Sequence, residues 1–471
     1  MGLFKRKDGK PPSVHDEKSD RASVASSHSA HLSLKSPRPV PALNGFADMS
    51  LPKIPLPAAP DPTLDPAGYL RSIYAVRERS KIVLEKAKEN DLNHFDVDMT
   101  KFSATSAYVV SIIKSWPSTV DPQERTRRLL DLFLVSVLLD AGAGTKWSYK
   151  SKESGKKFNR SEGLAVASLE MFKTGIFSSD PSQPFRVDAG GLKNITVETL
   201  TKGMQVSEDN PMDGLEGRAG LLMRLSKALY SNEEYFGPDA RPGNMLDYLI
   251  SHPTTQASSV PIVALPTLWK VLMDGLAAIW PKARTQIAGV SLGDAWPCSD
   301  MPASPPARSW ENIVPFHKLT QWLCYSLMVP MTKLLSIHFA GAELMTGLPE
   351  YRNGGLLIDT GLLSLKPADM ERGVEAYKRN AQHKGAPNVE VVPLFEPSDD
   401  VVVEWRAVTV GFLDELLEEV NKGLNLTGKD KLSLAQMLEA GTWKGGREIA
   451  AYSRPNTREP PIMILSDGTV F

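Results

Sequence analysis

The sequence predicts a mainly α protein, one large helical domain with a small β element and a disordered N-terminal tail. Three observations predict it. Apolar residues recur at helical spacing through most of the chain beyond residue 65, only two short stretches read as strands, and the first 60 residues carry no apolar periodicity. Residues 1–60 are rich in Ser, Pro, Lys and His, and cannot bury enough apolar surface to offset their chain entropy. The domain division is therefore a tail over 1–60 and one helical domain over 65–471.

Each element follows from local pattern. Tyr69, Leu70, Ile73, Val76 and Val83 punctuate a charged helix. Asp121-Pro122-Gln123-Glu124 is a helix start, with Asp as N-cap, Pro at the first helical position and an acid near the positive dipole end. The helix that follows, through Leu129, Leu130, Leu132, Phe133, Leu134, Val137 and Leu138, is apolar nearly all round and belongs in a core; Gly142 and Gly144 end it. Further helical patterns fall at 161–175, 213–230, 243–252, 260–279, 313–328, 331–346, 368–381, 403–422 and 432–440. Val389–Leu394 and Ile462–Leu465 read as strands, and the Pro-, Gly- and Asp-rich stretch 281–310 as a long ordered loop.

Composition excludes several classes. A formal net charge of −1 over 471 residues leaves no whole-chain basic field for nucleic acid. Two cysteines, Cys298 and Cys324, make neither a disulfide framework nor a thiolate zinc site, and fit a reducing compartment. The N-terminus has no apolar signal region, and the apolar runs Leu129–Leu139 and Trp322–Met331 fall short of a bilayer span. The expected location is cytoplasmic, with a nuclear one open through Lys5-Arg6-Lys7, and no membrane partner. Met1-Gly2 starts like a myristoylation site, but Arg6 stands where Ser or Thr is required.

Common catalytic signatures are missing. Ala141-Gly142-Ala143-Gly144-Thr145-Lys146 lacks the earlier glycine of a phosphate loop and follows a helix, not a strand. The histidines show no helical zinc spacing, and there is no nucleophile elbow. No metal and no cofactor is expected.

The strings that do stand out are Gly293-Asp294-Ala295-Trp296, Val314-Pro315-Phe316-His317-Lys318-Leu319-Thr320-Gln321-Trp322-Leu323, Gly347-Leu348-Pro349-Glu350-Tyr351-Arg352-Asn353-Gly354-Gly355-Leu356, Val403-Glu404-Trp405-Arg406-Ala407, Gly441-Thr442-Trp443 and Ser466-Asp467-Gly468-Thr469-Val470-Phe471. Arg160-Ser161-Glu162-Gly163-Leu164 and Arg241-Pro242-Gly243-Asn244-Met245 join them upstream. Over residues 65–471 these strings resemble the fungal and bacterial uracil-catabolism family, long catalogued as a domain of unknown function. The resemblance implies a place in a uracil-degradation route that passes through a ribotide, opens the ring with a cyclohydrolase-like partner, and yields urea and a three-carbon acid. It implies a small ribosylated pyrimidine-derived substrate, with other enzymes of that route as partners. His317-Lys318-Leu319-Thr320-Gln321 with Glu404-Trp405-Arg406 also resembles, more faintly, the queuosine-phosphate N-glycosidases, helical relatives of DNA glycosylases. Where those enzymes keep an aspartate and an arginine, this sequence has Phe316 and Lys318.

The residues themselves suit such chemistry. A helix beginning at Lys318 sets Lys318, Gln321 and Tyr325 along one face, with Leu319, Leu323 and Leu327 on another. Glu350-Tyr351-Arg352-Asn353-Gly354-Gly355 reads as a polar, glycine-closed turn flanked by Glu350 and Asp359. Glu404 and Arg406 converge only in extended chain; in a helix they diverge, and Glu404 joins Ala407, Val408 and Gly411 on an apolar stripe that raises its pKa. The candidate acids are Asp294, Glu350, Asp359 and Glu404. The candidate substrate-binding groups are Lys318, Gln321, Tyr325, Tyr351, Arg352, Asn353, Arg406, His317 and Trp296. Three functions stay open: hydrolysis of an N-glycosidic bond in ribosylurea or its phosphate, hydrolysis of a ureido C–N bond, and a non-catalytic partnership with the ring-opening enzyme.

Overall fold

Helices dominate because the long apolar-periodic stretches find one another. Among the described residues ten helices have nine residues or more: α1 (Ile73–Lys88), α2 (Gln123–Leu139), α3 (Arg160–Lys173), α4 (Leu215–Ser231), α5 (Leu265–Gly275), α6 (Lys318–Leu335), α7 (Tyr351–Asp359), α8 (Pro367–His383), α9 (Asp400–Gly423) and α10 (Trp443–Ser453). The computed structural model describes residues 55–97, 99, 123–144, 146–152, 155–257, 259–302, 310–383 and 389–465, all within one compact unit, Lys53–Phe471. The expected disordered tail, apart from residues 55–60, lies outside the described residues, as do Asp121, Pro122 and the terminal Ser466–Phe471 string. No described helix is long and apolar enough to cross a membrane.

One core gathers α2 to α6, with Leu130, Leu134, Leu138, Leu222, Leu268 and Leu323 all buried. A second gathers α1, α9 and the segments around Val314 and Leu363. Inside the apolar α2, the Asp131 carboxylate accepts from Arg241 Nε at 2.7 Å and Gly243 N at 2.7 Å. The Arg241-Pro242-Gly243 string is thus a bracket on α2, far from any chemistry. At the end of α2, the fully buried Arg218 donates to the carbonyls of Leu139 at 3.1 Å, Ala141, Gly142 at 3.1 Å and Asp213 at 2.5 Å. A guanidinium therefore satisfies the carbonyl of the helix's last residue and those of the turn that follows it. The Gly142–Gly144 stretch is a helix stop, as its position after a helix implied.

Close helix crossings depend on glycine. A Cβ on Gly446 of α10 would lie 2.0 Å from the Arg352 carbonyl oxygen, and one on Gly354 2.7 Å from the Trp405 ring. Gly354 and Gly355 serve close approach and make no turn. The predicted turn is α7 itself, which starts at Tyr351 behind the Glu350 N-cap.

Among the described residues the β structure is six separate two-stranded pieces. Phe95–Val97 pairs antiparallel with Leu363–Leu365, Ala295–Pro297 with Ile313–Pro315, and Ser148–Lys150 with Lys157–Asn159. The two predicted strands shrink to Leu394–Phe395 and Met463–Ile464, which pair with each other in parallel. The stretch 281–310 is not simply a loop, since it holds Gln286–Ile287, Val290–Ser291 and Ala295–Pro297. The predicted helix at 260–279 begins with strand Ile262–Ala264, and that at 331–346 gives way after Leu335 to strand His338–Ala340. Strands of two or three residues show no alternation to read. Pro330 does not break α6, because buried Leu327 and Met331 hold the helix on the core to either side.

Gly446→Ala should lower stability by about 1–3 kcal/mol through overpacking of α10 on α7. Denaturant midpoints check this; an unchanged midpoint would show that the crossing has slack.

Candidate active site

The start of α6 has no side-chain N-cap of its own, since His317 precedes it with φ 48°. Asp294 caps it from a distance. Its Oδ2 accepts from Lys318 N at 3.0 Å, and its carbonyl from Phe316 N at 2.9 Å and His317 N at 3.1 Å. The same carboxylate takes Arg406 Nη1 and Nη2, both at 2.8 Å, and Trp296 Nε1 at 2.7 Å. Burial alone would raise this carboxyl, but Arg406 and these donors hold it well below the usual range. The Arg406 guanidinium also lies 4.2 Å from the Phe316 ring centroid. Phe316, standing where the fainter resemblance expects an acid, has the carboxylate brought beside it by Asp294.

Around the Lys318 side chain gathers a cluster of half-buried polar groups, the recess, where helix ends meet. Lys318 opens α6, Arg160 and Ser161 open α3, Glu350 and Tyr351 open α7, and Asp140 closes α2. Asp140 hydrogen-bonds the Ser161 side chain. Burial pushes its carboxyl up to about 7, against the pull of that bond and of Arg218 and Lys318. Burial, aided by Arg406, brings the Lys318 ammonium down to about 8, with Glu350, Asp294 and Asp140 opposing. Glu350 accepts from Arg352 N at 2.8 Å and Asn353 N at 2.6 Å, and burial raises it too. Burial lifts the Tyr351 phenol to about 12 within the field of Arg352, Glu350 and Asp140. Each of these four side chains keeps a solvent-touched edge. An acid near neutrality, a partly deprotonated amine and a fixed carboxyl in one half-buried place are the materials of proton transfer.

The expected site residues divide accordingly. Glu350, Lys318, Tyr351 and Arg352 come together in the recess. Asp294 and Arg406 lie beneath it as a buried pair, and Trp296 serves that pair. Gln321 bonds Thr346 Oγ1 at 2.6 Å and Thr346 N at 2.8 Å, and Tyr325 donates to the Thr346 carbonyl at 3.1 Å. Their helix face is thus pinned to the 346 segment. Asn353 bridges the Leu348 carbonyl at 2.9 Å and Thr442 Oγ1 at 2.8 Å, joining two of the family-like strings structurally. His317 donates from Nε2 to the Leu70 carbonyl at 2.6 Å, and burial pushes its pKa down to about 4.

Asp359 ends α7, about 13 Å along the helix from Glu350, and accepts from Arg454 at 2.9 and 2.5 Å. In the helical α9, Glu404 and Arg406 diverge as the geometry requires. Glu404 accepts from Asn93 N at 3.0 Å and His94 N at 3.0 Å. Burial and the hydrogen-bonded Asp300 carboxyl push it far above the usual range, in a fully buried place apart from Lys318. Neither Asp359 nor Glu404 reaches the recess.

Sequence reasoning missed Asp140, Ser161, Arg160 and Glu459. The available signals were the Arg160–Leu164 string and a lone acid closing an otherwise apolar helix. Two clefts lie elsewhere: one of about 200 Å3 between α2 and α6 at Phe133 and Val329, and one of about 540 Å3 lined by Tyr149, Glu170 and Lys202. None of the family-like strings lines either, whereas five contribute to the recess and the pair beneath it. Among the described residues no group of three or more His, Cys, Asp or Glu is arranged to hold a metal ion.

Arg406→Met should cost about 3–5 kcal/mol by stranding the Asp294 charge in the interior. Restoring most of that stability with Asp294→Asn on top would identify the pair as its source; additive losses would contradict it.

Comparison with known proteins agrees with the strings. The family model described as "Protein of unknown function (DUF1688)" matches residues 69–116 and 112–471. "Uracil catabolism protein 4" of Lachancea kluyveri is 41% identical over 445 residues, covering 86% of this chain and 99% of the relative. "Protein urg3" of Schizosaccharomyces pombe is 40% identical over 435 residues, covering 85% of this chain and 98% of the relative. The chain, matched over nearly all of its helical unit, belongs to the DUF1688 family, the family of that uracil catabolism protein.

Proposed function

We propose that the chain acts in uracil catabolism and hydrolyses the N-glycosidic bond of a ribosylated, ring-opened intermediate such as ribosylurea or its phosphate. The pathway is supported by the name of the Lachancea kluyveri relative, a uracil catabolism protein. The reaction is supported by one observation above the others: Asp140, with a carboxyl raised to about 7, shares the recess with Lys318, Glu350 and Tyr351.

Breaking a C–N glycosidic bond leaves the electron pair on nitrogen and positive charge on the sugar carbon. Protonated Asp140 is the donor to the departing urea nitrogen. Glu350, fixed by two backbone N–H groups, is the carboxyl that faces the sugar carbon. Lys318 orients the polar substrate. Water adds to that carbon and gives its second proton to the now ionised Asp140, so one water is consumed, the acid is restored, and urea and ribose species leave. The same residues give a neutral proton donor at physiological pH, which an ordinary carboxyl is not.

Purified protein incubated with ribosylurea and with its 5-phosphate should yield urea and the free sugar by mass spectrometry. Ammonia with the sugar still attached, or no turnover of either compound, would refute the reaction. Because the protonated form of Asp140 is the donor, activity should fall as pH rises through about 7. Asp140→Asn should lower kcat by about 10²–10⁴-fold and flatten that limb. An unchanged pH profile would remove Asp140 from the chemistry.

A further inference from the structure

The segment from Arg454 to Pro461 passes the recess and is fastened at both ends. Arg454 grips Asp359 at 2.9 and 2.5 Å. Glu390 accepts from Asn456 N at 3.0 Å, Asn456 Nδ2 at 2.8 Å, Thr457 N at 2.7 Å and Thr457 Oγ1 at 2.8 Å. At the far end the Pro461 ring packs on Gly355 of α7, where an added Cβ would lie 2.9 Å from it. Between these anchors, Arg458 and Glu459 face two arginines.

Those arginines come from the first position of α3 and the second of α7. Arg160 Nη1 and Arg352 Nη1 each donate to the Arg458 carbonyl, both at 3.1 Å. Arg160 Nη2 also donates to the Thr457 carbonyl at 2.8 Å. Two guanidiniums thus converge on one neutral oxygen and repel each other. Glu459 Oε1 stands 3.6 Å from Arg160 Nη2, looser than a hydrogen bond, and Glu350 and Glu459 both act on Arg352. Arg352 is buried and Arg160 half-buried, so water does little to screen the pair. The Asn159 side chain makes no cap bond at the start of α3, so that helix end adds its own positive field.

Resting on the function proposed above, we infer that Arg160 and Arg352 form the seat of a phosphate monoester on the substrate, and that Glu459 stands in that seat until the phosphate displaces it. A phosphate dianion offers three oxygens to two forked donors, which one carboxylate at 3.6 Å does not match. The seat adjoins Tyr351 and, through it, Asp140 and Glu350, so a sugar held by its phosphate presents its far end to the acids. Burial raises the Glu459 carboxyl against the pull of Arg160, Arg352 and Arg454, so its charge is kept in the seat against a desolvation cost. The substrate class that follows is a sugar phosphate derivative, with the unphosphorylated compound a poor substitute.

Calorimetric titration of the full chain with inorganic phosphate, ribose 5-phosphate and ribose tests this without any turnover. Glu459→Gln should bind both phosphates about tenfold more tightly, Arg160→Gln about tenfold more weakly, and ribose should respond to neither change. Arg160→Lys, which keeps the charge and loses the fork, serves where Arg160→Gln unfolds. If Glu459→Gln binds phosphate no better, or more weakly, Glu459 is a brace for the arginines and the inference is overturned. Phosphate binding that follows this pattern without release of urea would instead discard the glycosidic reading and leave the seat.

Discussion

The bond between Asp294 and Arg406 is the constraint on which the rest of the candidate site depends. It joins the segment after residue 293 to the second turn of α9, and both side chains are out of water. Desolvating two charges is costly, and it is offset here because the remaining acceptor capacity of Asp294 is also used, by Trp296 and by the first N–H of α6. One carboxylate therefore fixes the height and direction of α6. Lys318, the next side chain out, has its place set by that bond. The pair also leaves a buried guanidinium beneath Lys318, which helps to lower the lysine's pKa.

Three helix beginnings then meet the end of a fourth. Two of them, α6 and α7, have their first N–H groups taken by carboxylates, Asp294 and Glu350. The third, α3, does not. Helix beginnings favour negative charge, so this corner of the fold is suited to an anionic or oxygen-rich ligand. Burial opposes ionisation of the acids placed there, and Asp140, Glu350 and Glu459 all rise above their ordinary values. Stabilising potential and desolvation act in opposite directions, and an acid near pH 7 is the outcome at Asp140.

Much of this was legible in the sequence. The long apolar helices, the inward face of Leu319, Leu323 and Leu327, and the divergence of Glu404 from Arg406 all follow from periodicity, whereas the helical pattern read from residue 313 begins only at Lys318, after the strand Ile313–Pro315. The raised pKa of Glu404 follows from its apolar stripe, although its partner, Asp300, was invisible. What could not be read were contacts made across long separations. Nothing near Asp294 announces Arg406, 112 residues later. Asp140 belongs to no motif, and its meaning appears only when Ser161 and Lys318 stand beside it. Gly354 and Gly355 suggested a turn because glycine pairs usually mark one; here they admit Trp405, Thr409 and Pro461 against a helix. The short strands escaped notice because two or three residues carry no alternation.

The recess is one electrostatic unit centred on Asp140. Its most direct measurement is a carbon-13 carboxyl titration of Asp140 in the full chain, assigned with Asp140→Asn, and repeated in Lys318→Met. A midpoint near 7, moving upward when the lysine charge is removed, is the expected result. A midpoint in the ordinary carboxylate range, indifferent to Lys318, would contradict it.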